Sequence, residues 1–155
     1  MFEIHQHYKQ FASFLVLFSF VGVCNAMADM YLFSEVNGVV VKGGTPVSGA
    51  IVEQEYRWAW KDEAGTKQTK TDAAGIFQFP AVVKSSFFGS LLPHEPMVRQ
   101  TLLIKHDGNV YKAWMFDKGN YKNNGELGGK PISLHCDLDD PLSHKGEVYG
   151  ICQLR

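Results

Sequence analysis

Cys136 and Cys152 are the most reactive side chains of the carboxyl-terminal third, and they stand among His135, Asp137 and His144. Imidazole and thiolate are ligands that zinc accepts. The spacing argues for a different chemistry, because the two cysteines lack the close pairing of structural zinc sites and an extended segment puts His135 on the face opposite Cys136. Cys136 shares a face with Ile132, Leu134 and Leu138, and Cys152 shares one with Val148 and Leu154, so both thiols are expected to point into a core. A disulfide between adjacent antiparallel strands follows, closing over residues 139–146. No metal and no cofactor is expected. A reactive Cys–His pair is set aside, since a cysteine on an apolar face is normally inert.

Two further groups could bind rather than react. Phe87, Phe88, Leu91 and Leu92 precede His94 and Glu95, which Pro93 and Pro96 bracket. A rigid, partly apolar loop is a plausible contact surface for another protein, although the commoner outcome tucks Phe87, Leu91 and Leu92 under one end of the sandwich and leaves His94 and Glu95 solvated. Trp58, Trp60 and Trp114 could stack on sugar rings. Core tryptophans are the commoner outcome, and Tyr56, Trp58 and Trp60 fall on the face that begins with Ala50 and Val52, so most of this set is expected inside, with one ring at most reaching an open end. The chain has no Gly-rich phosphate loop, Gly-x-Ser-x-Gly elbow or His-Glu-x-x-His run. Asp72, Asp107 and Asp139-Asp140 sit at expected turns, where aspartate bonds backbone N–H groups without any catalytic role.

The elements that would position these residues are short strands. Glu35 to Lys42 carries three consecutive valines, as a strand buried between layers does. Ala50 to Trp60 alternates with period two. Thr66 to Thr71 is polar, and its lysines suit an edge. Asp72 to Gly75 is a tight reversal that leaves Phe77 and Phe79 on one side. Ala81 to Val98 mixes apolar residues with breakers and reads as a long ordered loop. Arg99 to His106 and Asn109 to Phe116 form a hairpin about Asp107-Gly108, with Val110, Lys112, Trp114 and Phe116 sharing a side. Asp117 to Lys130 is rich in Gly, Asn and Lys and reads as an exposed connection. Ile132 to Leu138 and Glu147 to Leu154 close the pattern. With no helical periodicity beyond two turns, seven or eight strands make an all-β, antiparallel sandwich of prealbumin-like or Ig-like form.

The 155-residue chain divides into residues 1–28, an expected signal peptide, and residues 29–155, one domain. Phe11 to Cys24 is an uncharged apolar run followed by Ala26 and Ala28, a secretory pattern with cleavage after either alanine. Fourteen residues of helix reach roughly 21 Å, short of a bilayer core of about 30 Å, so a retained anchor is the lesser reading. A lipoprotein is disfavoured because Val23 precedes Cys24. Export removes Cys24 and leaves an even pair in an oxidising compartment. The net charge of −1 gives no field to gather nucleic acid or an anionic membrane, so neither is expected as a partner.

Gly38-Val-Val-Val41, Gly44-Thr-Pro46-Val-Ser-Gly49-Ala-Ile-Val52 and Thr69-Lys-Thr71-Asp72-Ala-Ala-Gly75-Ile-Phe77-Gln-Phe79 together resemble the carboxypeptidase regulatory-like domains, small sandwiches of the transthyretin type. The chain is also similar to uncharacterised bacterial secreted proteins made of a single such domain. The resemblance covers about 45 residues and implies architecture more than task, because these domains accompany many unrelated activities. Transthyretin-like hydrolases end in Tyr-Arg-Gly-Ser, whereas this chain ends Tyr149-Gly-Ile-Cys-Gln-Leu-Arg155. Intradiol dioxygenases hold ferric iron with two tyrosines and a His-x-His pair; the matching region here has His94 alone, and Tyr111, Tyr121, His135 and His144 could be nominated only by counting. The expectation is therefore a non-catalytic, periplasmic binding module that contacts a protein, in an accessory or immunity-type role, through residues 85–96 or 117–130. A carbohydrate or envelope-binding module is the alternative, and an enzyme comes third.

Overall fold

A computed structural model describes residues 28–86 and 95–155. The expected export segment as far as Met27, with Cys24 and Ala26, lies outside the described residues. No helix among the described residues is long and apolar enough to cross a membrane.

The strands are β1 (Ala28–Phe33), β2 (Val36–Lys42), β3 (Thr45–Pro46), β4 (Ile51–Trp58), β5 (Glu63–Lys70), β6 (Ile76–Phe79), β7 (Val82–Ser86), β8 (Val98–His106), β9 (Asn109–Lys118), β10 (Ile132–Asp137), β11 (Ser143–Lys145), β12 (Val148–Gly150) and β13 (Gln153–Leu154). They form a six-stranded sheet in the order β11-β12-β9-β8-β4-β5 and a five-stranded sheet in which β2 lies between β10 and the pair β3 and β6. A separate two-stranded sheet joins β1 to β7. The all-β sandwich read from the sequence is the fold observed. Among the described residues its one departure from antiparallel order is β10, which runs parallel to β2 from Ile132 opposite Val36 to Asp137 opposite Val41.

The valines of β2 are buried on both sides because that strand is central. Ala50, just before β4, and Val52 start an inward row that Trp58 completes. Val40, Val52, Phe77, Ile104 and Trp114 all belong to one core cluster, in which the inner faces of both large sheets meet. Three local devices set the register. The Asp72 carboxylate accepts from the N–H groups of Ala74 and Ile76 at 2.9 and 2.8 Å, and Gly75 turns at φ 76°. Asp107 and Gly108, both at positive φ, make a two-residue turn of the mirror-image type that matches strand twist. At Ala113 the pairing of β8 with β9 slips, so that Leu102 faces Trp114 while Leu103 faces Lys112.

That bulge corrects the expected phase of β9. Trp114 and Phe116 are buried, but Val110 and Lys112 are exposed, since the extra residue turns the strand by one position. Residues 81–98 are not one loop either: Val82 to Ser86 pairs with β1. Its partner strand lies where the sequence suggested the end of an export segment, which hid the pairing. Segment 117–130, expected to be an exposed connection, carries Lys118 and Glu126 into the interior.

Candidate functional site

Cys136 and Cys152 are bridged, at 0% and 2% exposure, with Cα atoms 4.1 Å apart. They continue the antiparallel register of β10 with β13, in which Leu134 faces Leu154 and His135 faces Gln153. The short Cα separation suits a pair whose backbones do not bond each other. The Cys152 N–H instead donates to the Ala113 carbonyl at 3.2 Å, and the Ile151 N–H donates to that of Lys112 at 3.0 Å. The carboxyl-terminal segment thus leaves the six-stranded sheet over the β9 bulge, joins the five-stranded sheet, and is stapled there by the disulfide.

The other nominated residues are dispersed. Trp58 and Trp114 are buried, matching the expectation that most of the set lies inside, so neither can stack on an external ligand. Burial follows from the inward row of β4 and from the β9 bulge. Trp60 is half-buried, its ring 5.5 Å from that of Trp58 at 62°, with the Lys61 ammonium 4.1 Å from its centroid. Phe87, Phe88, Leu91, Leu92 and His94 lie outside the described residues; Glu95 is exposed. His135 lies on β10, with Arg155 at 3.2 Å, and His144 on β11 against the Tyr149 ring, so the two occupy different sheets. Tyr121 accepts from the Trp58 indole at 2.7 Å, and Tyr111 packs on the core. These four do not converge, and no group of three or more His, Cys, Asp or Glu among the described residues could hold a metal.

Two arrangements escaped the sequence. The first is a buried polar cluster at one end of the sandwich. The Lys118 ammonium has three partners for its three protons: Glu126 Oε1 at 3.0 Å, the Lys122 carbonyl at 2.8 Å and Ser34 Oγ at 3.3 Å. Glu126 also accepts from the Ser34 hydroxyl at 2.7 Å, the Ser34 N–H at 3.0 Å and the Gln100 amide at 2.7 Å. Burial alone would raise the Glu126 pKa, but the bonds from Gln100 and Ser34 and the Lys118 charge outweigh it and hold the carboxyl below its ordinary value. Burial lowers that of Lys118, which Glu126 offsets in part. Both side chains are sealed from solvent, so the cluster anchors residues 119–130 and has no access to a substrate.

The second is on the outer face of the six-stranded sheet. Arg57 faces Arg99 across β4 and β8, each guanidinium held by an aspartate, Asp62 at 3.5 Å and Asp117 at 2.9 Å. Asp117 pushes the Arg99 guanidinium further up. The next row runs Tyr149, Met115, Thr101, Glu55. Arg99, Met115, Phe116, Asp117, His144, Glu147 and Tyr149 border an open cleft of about 630 Å³. No motif in the sequence marks it, because its residues come from β8, β9, β11, β12 and the turn between the last two.

The fold and this face define an all-β sandwich module with a shallow, mixed polar and apolar surface cleft. The chain belongs to the family described as a domain of unknown function (DUF6795), whose pattern matches residues 36–141. That span takes in Gln100, Lys118 and Glu126 and stops before His144, Tyr149 and Cys152. No curated protein and no solved structure matches the chain.

Proposed function

We propose that this protein is a non-catalytic binding module that engages another protein, in the bacterial periplasm and in an accessory or immunity-type role. The observation that carries the reading is the outer face of the six-stranded sheet. Arg57, Arg99, Met115 and Tyr149 adjoin there, and Arg, Met and Tyr are the residue types enriched where proteins meet. Met97, 52% exposed beside Glu95, adds an apolar contact at the start of β8. The paired Cys136 and Cys152 support an oxidising compartment. Within the family, the finer likeness of residues 37–79 to carboxypeptidase regulatory-like domains is supported by the order of β2, β3, the Asp72 turn and β6. A carbohydrate module is less favoured, since two of the three tryptophans are internal and Trp58 and Trp60 are not coplanar.

The test is site-specific photo-cross-linking in the cell envelope, with the reactive residue at Thr101 on the outer face or at Ile76 on the opposite sheet. A discrete protein adduct from Thr101, lost on Arg99→Glu and missing from Ile76, supports the reading. No adduct from Thr101, or retention of one oligosaccharide on a glycan array, overturns it.

A further inference from the structure

Among the described residues, four polar atoms inside the sandwich have no hydrogen-bond partner: Nε2 and Oε1 of Gln54, Oε1 of Gln100 and Nε1 of Trp114. The three residues are at most 1% exposed and share the inner face of the six-stranded sheet. Gln54 lies opposite Leu102, Leu102 opposite Trp114, and Gln100 is two positions along β8 on the same face. The Gln100 orphan does not arise from a reversed amide. The Gln100 nitrogen already donates to the Leu32 carbonyl at 2.9 Å and to Glu126 at 2.7 Å, which fixes its oxygen as the unpartnered atom. Both ends of Gln54 are unpartnered as its amide is oriented, and an indole nitrogen can only donate. The set therefore comprises two donor groups and two acceptors.

We propose that the sandwich encloses a hydration site in which one or two bound waters bridge Gln54, Gln100 and Trp114. Water offers two protons and two lone pairs, the complement of this set, and buried waters typically satisfy such groups with about three bonds each. Directly bonded protein partners would otherwise be expected, because buried polar groups are nearly always paired. The site would join the buried ion pair to the middle of the sheet, running from Lys118 and Glu126 through the Gln100 amide to water and the Trp114 indole.

The experiment uses the full chain with 15N-labelled tryptophan. Water-to-indole cross-peaks are recorded in NOE and ROE spectra, whose ratio separates a resident water from fast surface hydration. A resident-water cross-peak at the Trp114 N–H, reduced at least about twofold in Gln54→Met, which removes two of the bonding groups, supports the site. A Trp114 N–H without that cross-peak, or one unchanged in Gln54→Met, overturns it. Gln54→Leu serves in the same comparison if the methionine variant does not fold. The parent spectrum alone decides the negative case.

Discussion

The Lys118 ammonium and the Glu126 carboxylate stand 3.0 Å apart with neither side chain exposed, so the ends of a nine-residue segment are joined inside the protein rather than at its surface. Removing one member leaves the other charge buried without its partner, which costs about 3–5 kcal/mol. Lys118→Met and Glu126→Gln should each lower the urea midpoint accordingly. The double replacement Lys118→Met with Glu126→Gln should lose clearly less than the sum of the two singles, because no charge then remains to be desolvated. Additive losses would show that the pair is not coupled.

Acid should reach the same cluster. The folded-state pKa of Glu126 lies below the ordinary 4.5, so on acidification the unfolded chain takes up its proton first. The associated stability is complete above about pH 4.5 and is lost as pH falls through the lower folded value. Glu53 acts in the same direction: bonds from Lys105 and Gln68 depress its pKa, and its side chain is only 10% exposed. Unfolding free energies from urea titrations at stepped pH should therefore drop below about pH 4.5. Glu126→Gln should flatten that limb while lowering stability at neutral pH.

Local pattern made most of the sandwich legible, and the misses have physical causes. Three consecutive valines, the Asp72 turn and Asp107-Gly108 each encode their conformation within a few residues. β1 and β7 did not, because each is recognised only by a distant partner, from 49 positions away for Phe33 and Val82 to 58 for Ala28 and Ser86. One of the two also sits beside an apolar run with another evident meaning. The β9 bulge is invisible to period-two counting, whereas Lys118 keeps the alternation of Trp114 and Phe116 and is hidden because its charge and the Gly- and Asn-rich residues after it argue for solvent. Glu126 stands between Gly125 and a glycine pair, where composition argues for solvent. The outer-face cleft is assembled from four strands, and only register brings Arg99, Met115 and Tyr149 together.

The disulfide should matter to the whole fold, because Cys152 lies where the chain crosses between sheets. Its two residues are 16 apart, and chain entropy assigns such a loop about 3 kcal/mol. Reduction, or Cys136→Ser with Cys152→Ser, should lower the denaturant midpoint by that order and raise amide exchange in β12 and β13 before β4 and β8. Uniform acceleration of exchange across both sheets would assign the staple no local role.

Gly38 and Phe77 face each other across β2 and β6, and the ring lies over the glycine so closely that a Cβ would fall within it. The phenylalanine needs the missing side chain more than the backbone needs freedom, since Gly38 has no positive φ. Gly38→Ala should therefore act by overpacking, at about 1–3 kcal/mol. Phe77→Leu shrinks the ring's place and carries its own loss by cavity formation. In the double variant the added methyl occupies space the ring vacated, so the combined loss should fall short of the sum by about 0.5–3 kcal/mol. Thermal unfolding of the four proteins measures this coupling, and strict additivity would mean that the methyl introduced by Gly38→Ala is accommodated elsewhere.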